Sequence, residues 1–374
     1  VIGDLKQARE QAKRLAGDEP PEWGWFLWLE DRLAENDEPT IPWWWREQFK
    51  AFWRTGKRTM FAAVGLRGLK SSATCRVSMA EALFRERRPV LNAMLVLPIL
   101  SALKTEAAER IMTMRAILRA LRYRERERKG KGEEAADIVP VGEYAYSFNA
   151  SSGLGIIDFR DASDNMVTCW ARVAGMGGVR AYTGIGGIAD EADHWPVVGE
   201  NGKEPAYGGA NRILDYLISR TTGQTDAHVY VVSNPTSERA LLSSACMAGD
   251  GHESHIARLG DRGAEELQRA FATLAKFLKA NGDDGLAMDE RLHERQSPDA
   301  WRIPSCVGHE DPSRVIIEHW KQSCDSARRS GDVDRMGTFF QIYCARAIGG
   351  EGASYIDPML ALEAGSPERD AMFA

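Results

Sequence analysis

Four stretches of this chain are apolar without alternation: 59–63, 89–98, 185–189 and 227–232. Runs of this length, bounded by Gly, Pro or small polar residues, suit strands covered on both faces, as in a parallel sheet held between helices. Between them the pattern shifts to the helical period, and helices are expected over about 42–54, 73–85, 99–122, 209–220, 265–281 and 312–330. A shorter amphipathic segment follows at 335–346. Two short strands are expected at 155–160 and 166–171. Residues 1–38 read as a polar helix, an aromatic patch (Trp23, Trp25, Phe26, Trp28) and an acidic helix end, the tryptophans serving core or interface packing. Strands alternating with helices in this order give an α/β fold, a mainly parallel sheet flanked by helices.

Composition narrows the class. A chain of 374 residues suits one large α/β domain with an appendage, and 44% hydrophobic with 27% charged residues can bury a core. The net charge of −6 gives no global nucleic-acid signature, so any DNA contact must come from a local basic face. One such run is Arg115, Arg119, Arg122, Arg124, Arg126, Arg128, Lys129 and Lys131, whose plainer reading is a solvated helix end leading into a loop at 130–136, with a phosphate-tracking DNA contact as the alternative. No apolar run reaches the ~18–20 residues of a membrane span, and no secretory signal pattern opens the chain, so no membrane role is expected. Six scattered cysteines suit reduced thiols better than a disulfide framework.

The chemistry-bearing stretch is Val64-Gly65-Leu66-Arg67-Gly68-Leu69-Lys70-Ser71-Ser72, placed between an apolar strand and a helix. A glycine-bearing turn entering a helix offers backbone N–H groups to phosphate; the lysine then reaches the β/γ-phosphates and the hydroxyl ligates Mg²⁺. The usual pattern, G-x-x-x-x-G-K-S/T, has glycine immediately before the lysine. Here that place holds Leu69, with Gly68 one step earlier. An ordinary βα turn is the competing reading. The second stretch is 185–195, a strand ending in Asp190-Glu191. At the carboxyl edge of a sheet, Asp190 can hold the Mg²⁺ hydration shell and Glu191 can polarise an attacking water; a capped helix start is the plainer alternative. The strand at 227–232 runs into Ser233-Asn234-Pro235-Thr236-Ser237, where Ser or Asn can sense a γ-phosphate, or which is plain turn chemistry. Gln48 can read an adenine edge with its amide, or sit exposed on its helix. Two metal readings are weaker. Cys306, His309, His319 and Cys324 have roughly zinc-like spacing, but the last two point to different sides of a helix. Asp190, Glu191, Asp193 and His194 as a two-metal cluster would leave the lysine loop unexplained.

Taken together, these segments resemble the ATPase part of the large terminase subunit of tailed bacteriophages. The resemblance is carried, in order, by Trp45-Arg46-Glu47-Gln48, Gly65 to Ser72, Arg180 to Gly184 just before Asp190-Glu191-Ala192, and Ser233-Asn234-Pro235. It is weaker at Phe339 to Ala345 with Gly350 to Ala353, which is similar to the family's junction toward its nuclease. It implies a RecA-like P-loop core with a small helical N-terminal or lid part, and an ATP–Mg²⁺ site. It implies Gly65, Arg67, Gly68, Lys70, Ser71 and Ser72 around the phosphates, with Ser71 and Asp190 at the metal and Glu191 activating water. It implies Gln48 at the adenine, and Ser233 and Asn234 coupling phosphate state to movement. The charge-stabilising arginine would be Arg67, with Arg180 or Arg220 as other candidates. The implied partners are double-stranded DNA, the portal protein, the small terminase subunit and further copies in a ring on the procapsid, in the host cytoplasm.

The expected organisation is a helical segment at 1–40, an ATPase core at 41–260, a helical lid or linker at 261–355 and a flexible tail at 356–374. Too few residues follow Gly352 to build a nuclease, so a motor without its nuclease is expected. Two other readings stay open: another P-loop translocase of helicase type, or a non-catalytic DNA- or portal-docking module whose nucleotide loop is degenerate.

Overall fold

The computed structural model describes residues 2–87, 94–126, 142–149, 151–175, 182–195, 209–224, 226–236, 240–330 and 334–346. The apolar runs form the centre of one sheet: β1 (Thr59–Val64), β2 (Leu95–Ser101), β8 (Gly187–Asp190), β9 (Val229–Ser233) and β10 (Ser254–Ile256). Their order is β10-β1-β9-β8-β2, every neighbouring pair parallel. All residues of β1, β2, β8 and β9 are buried, which is why no polar alternation shows in the sequence. Alternation exists instead between two cores. Met60, Ala62, Val64, Leu97, Ile188, Tyr230 and Val232 join one, with α4 (Lys70–Phe84) and α5 (Lys104–Ala120). Phe61, Ala63, Leu100, Ala189, Val229, Val231 and Ile256 join the other, with α6 (Gly209–Thr221) and α7 (Leu241–Ala248). The loop-bearing strand β1 and the acid-bearing strand β8 are separated by β9 alone, a RecA-like arrangement with helices on both faces.

Strand β2 corrects one expectation. The sequence pattern ends this strand at Pro98 and starts a helix at 99, but β2 continues to Ser101 and α5 starts at Lys104. Proline is tolerated inside this central strand because pairing on one side lapses there. The two-residue β7 (Thr183–Gly184) pairs with Leu95 and Val96, β8 resumes only at Ile99, and nothing pairs opposite Leu97 and Pro98 on that side among the described residues.

Beyond β2 the sheet turns antiparallel. β6 (Met166–Val173) lies parallel to β2, β5 (Leu154–Arg160) antiparallel to β6, β4 (Glu143–Asn149) antiparallel to β5, and the short β3 (Arg124–Arg126) closes the edge. Among the described residues one face is covered here: Tyr144, Ile157 and Phe159 pack with Ile111 and Met114 of α5, so β5 alternates buried and half-buried residues.

At the amino end, α1 (Ile2–Ala16) and α2 (Pro21–Ala34) pair and α2 leans on α4, while α3 (Trp43–Thr55) buries Trp44, Trp45, Phe49, Phe52 and Trp53. A buried network fixes α4 against β9: Glu81 accepts from Trp53 Nε1 at 3.0 Å and from Tyr230 Oη at 2.7 Å, and lies 2.7 Å from His228 Nδ1. Burial alone would raise the Glu81 carboxyl, but His228 and Arg85 outweigh it and hold it at about 2. After β10 come α8 (Gly260–Ala280), the single turns α9 (Asp284–Ala287) and α10 (Glu290–His293), β11 (Arg302–Ile303), α11 (Pro312–Ser330) and α12 (Arg335–Tyr343). β11 pairs with the end of β1, which brings α12 against the lysine loop. All six cysteines are free thiols, and no described helix is long and apolar enough to cross a membrane.

Candidate nucleotide site

The lysine loop leaves β1 at its carboxyl end and enters α4, at the sheet edge where open α/β folds take ligands. Three backbone ties shape it: Gly65 N–H donates to Ile303 O at 2.9 Å, Leu66 N–H to Ile342 O at 2.8 Å, and Gly68 N–H to Gly65 O at 3.1 Å. A fourth comes from α3, where the buried Trp45 indole donates to Gly68 O at 2.8 Å. A Cβ would be crowded at both glycines. A Cβ on Gly65 would stand 2.3 Å from the Tyr343 carbonyl oxygen, and one on Gly68 would stand 2.4 Å from Val64 Cγ1.

The departure at Leu69 has a structural answer. Leu69 adopts the left-handed conformation itself (φ 55°, ψ 24°), as does Arg67 (φ 66°). A side chain there costs about 1–2 kcal/mol, and strain of this kind collects at functional sites. Leu69 is 41% exposed, so little packing offsets that cost. Leu69→Gly is therefore expected to stabilise the protein by about 0.5–1 kcal/mol, less than the full strain because glycine loses more backbone entropy on folding. A urea midpoint that falls instead would mean that the leucine side chain holds the loop.

At the mouth of the helix four side chains meet. Lys70, nearly buried, lies 3.2 Å from Glu191 Oε1 through its Nζ. Ser71 Oγ donates to Asp190 Oδ1 at 3.0 Å. Ser72, half-buried, is the next residue of the same turn. Asp190 is fully buried at the tip of β8, and its carboxyl is pushed up by burial, with Arg110 pulling it down and the Glu191 charge adding to the rise. Glu191 follows in a left-handed conformation (φ 48°), which turns its carboxylate toward Lys70. Burial would raise this carboxyl too. The Lys70 ammonium, His194 and the Asn234 N–H outweigh it and hold it well below the usual range.

The strand tip of β9 closes the other side. Ser233 Oγ and Asn234 N–H each donate to Glu191 Oε2 at 3.1 Å. The Asn234 side-chain oxygen is buried with no partner among the described residues, an acceptor waiting for a donor beside that carboxylate. Asp193, by contrast, caps α7: it accepts from Leu242 N–H at 2.6 Å and Ser243 Oγ at 2.8 Å. That commitment removes it from any two-metal cluster. Among the described residues no three His, Cys, Asp or Glu side chains gather as a metal site, and His319, of the zinc-like set, stacks on Tyr343 at 4.5 Å and pairs with Ser305.

The remaining sequence-derived residues divide. Gln48 uses its side-chain oxygen to accept from Arg258 N–H at 3.0 Å. Arg67 is exposed on the loop, and its charge, after burial, helps hold His319 down at about 4. Arg220 ends α6 beside β7, at the opposite edge of the sheet from Lys70, so this chain does not bring it to its own site. Arg180 lies outside the described residues, as do Ser237, Gly350 to Ala353 and the tail at 356–374. Of the basic run, Arg115 and Arg119 are neutralised by Glu125 at 2.5 and 2.8 Å, while Arg128, Lys129 and Lys131 are also outside the described residues.

Two residues at the site carry no motif. Arg110, in the second turn of α5, donates through Nε to Asp190 Oδ2 at 2.5 Å. Glu106, one turn earlier, accepts from Leu103 N–H, and burial followed by the Glu191 and Asp190 charges pushes it up to about 7. Their i, i+4 spacing puts both on one helix face, but sequence gives no reason to aim that face at the acids. Trp45, whose motif position suggests no role beyond packing, adds its indole contact to Gly68 O. Trp45→Phe keeps the ring and leaves Gly68 O without its donor, so a loss of about 1–3 kcal/mol in stability is expected. An unchanged urea midpoint would show the indole contact to be incidental.

Ser71 and Asp190 present hard oxygen donors on adjacent elements, a set that fits Mg²⁺. No protein-family profile matches the chain, and no curated protein does. Solved structures do. The HK97 bacteriophage large terminase matches 91% of this chain and 55% of its own length, at 12% identity and a TM-score of 0.40. The large terminase ATPase domain of Thermus phage P74-26 matches 78% of this chain and 89% of its own, at 14% identity and a TM-score of 0.38. A large terminase from a thermophilic bacteriophage matches 51% of this chain at 10% identity and a TM-score of 0.33. The chain thus spans 55% of the HK97 chain and 37% of the thermophilic phage's chain. It is similar to the large terminases of several bacteriophages.

Proposed function

We propose that this chain is an ATP-hydrolysing motor that drives double-stranded viral DNA into a procapsid. The observation that supports it best is the convergence of Lys70, Ser71, Asp190 and Glu191 at one sheet edge, with Ser233 and Asn234 on the same glutamate. In the free protein Lys70 neutralises Glu191. When ATP enters, Lys70 exchanges that carboxylate for the β/γ-phosphates. Magnesium, held by Ser71 and Asp190, would supply charge neutralisation at the phosphates. Glu191, relieved of its cation, becomes more basic and orients the attacking water. Ser233 and Asn234 remain on its other oxygen, so the β9 tip senses what the glutamate does. Arg67 is the arginine assigned to the developing charge, with Arg180 and Arg220 as alternatives supplied within or between copies. Gln48 is assigned to the adenine edge. Residues 41–260 form the motor core on this reading, and the helices after 261 a lid.

The DNA-packaging part of the proposal rests on the order of the sequence motifs. Its partners are double-stranded DNA, a portal protein, a small terminase subunit and further copies of this chain, at the procapsid in the host cytoplasm. Phosphate release from Mg–ATP, measured with and without linear duplex DNA, tests it. Turnover raised by duplex over single strands is expected. Hydrolysis indifferent to every form of DNA would remove the motor and leave a plain ATPase.

A further inference from the structure

Asp190 has one partner on each oxygen: Ser71 on Oδ1 and Arg110 on Oδ2. The second is a cation delivered from α5, with a side chain only 13% exposed. Its other contact, to Glu109 at 3.5 Å, is long and reaches a carboxylate that is 70% exposed, so Asp190 is the partner that matters. The buried acid pair is therefore matched by two buried cations, Lys70 on Glu191 and Arg110 on Asp190.

We propose that Arg110 is a positioning residue that stands in for the metal, holding the Asp190 carboxylate in place in the nucleotide-free protein and yielding it when Mg²⁺–nucleotide binds. The inference rests on the nucleotide reading above and deepens it. Guanidinium and metal compete for one carboxylate, so Arg110 sets how much Mg²⁺ the site demands.

The test is calorimetric titration of Mg²⁺ into the full chain with a fixed concentration of the non-hydrolysable analogue AMP-PNP. Arg110→Gln is expected to lower the half-saturating Mg²⁺ about ten-fold, the equivalent of one charge-assisted hydrogen bond removed from the competing side. Affinity for AMP-PNP at saturating Mg²⁺ is expected to stay within about two-fold of the parent protein, which a merely destabilised fold would not preserve. Arg110→Lys, the fallback if the glutamine variant does not fold, keeps the charge but not the planar fork and is expected to shift the midpoint about two- to three-fold in the same direction. Mg²⁺-dependent binding in the parent with an unchanged or raised midpoint in the variant overturns the role of Arg110 alone. No analogue binding by the folded parent at any Mg²⁺ concentration overturns the nucleotide reading, and this one with it.

Discussion

Glu191→Gln is expected to lower ATP turnover by about 10²–10⁴-fold while leaving nucleotide binding intact. A carboxamide can still accept from Ser233 Oγ and Asn234 N–H, the two donors that hold Oε2 at 3.1 Å, so the side chain keeps its place. It can neither take a proton from water nor pair with Lys70. The lost ion pair has a second consequence. Lys70 no longer has to leave a buried carboxylate to reach phosphate, so the variant is expected to bind Mg–ATP a few-fold more tightly than the parent. Single-turnover phosphate release beside analogue calorimetry separates the two effects. Full hydrolysis in the variant would take Glu191 out of the chemistry, and lost binding would make it a structural residue of the pocket.

The second large effect is Gly65→Ala. A methyl group at this position meets the Tyr343 carbonyl oxygen at 2.3 Å, and that atom is backbone, itself engaged by Ser305 N–H at 2.8 Å. The neighbouring bond from Leu66 N–H to Ile342 O ties the same turn of α12 to the loop. Relief requires either β1's end or the end of α12 to shift. A loss of about 2–4 kcal/mol is expected, together with loss of nucleotide binding. Gly68→Ala makes a useful contrast: its clash is with the Val64 side chain rather than with backbone, so a smaller loss is expected. A Gly65→Ala protein with the parent's urea midpoint and binding would mean that α12 does not press on the loop in solution.

What is legible in the sequence is what short-range chemistry controls. β1, β8 and β9 show as uninterrupted apolar runs because helices cover both faces of the sheet, and Lys70, Ser71, Asp190, Glu191, Ser233 and Asn234 stand out because each follows such a run. The expected α/β class follows from the same pattern. The start of α5 is not legible because Pro98 reads as a boundary, and only the gap between β7 and β8 makes it a strand residue. β4 and α7 carry no clear signal: one is half-exposed, and the other is eight residues long, with its cap supplied by Asp193 from a distant turn. Arg110 joins Asp190 across 80 residues, and no local pattern reports a contact of that range. Leu69 looks like a defect because sequence reports the residue and not the φ angle it accepts.

The central claim is that this edge of the sheet binds nucleotide through Lys70, and calorimetric titration of Mg²⁺–AMP-PNP into the protein, beside Lys70→Ala, tests it most directly. Saturable binding at one site per chain that weakens at least about 100-fold in the variant is the expected result, since on the proposed reading the ammonium contacts the phosphates, and it is the only buried cation on Glu191 among the described residues. No binding at millimolar analogue by the folded parent, or equal binding by the two proteins, would contradict it.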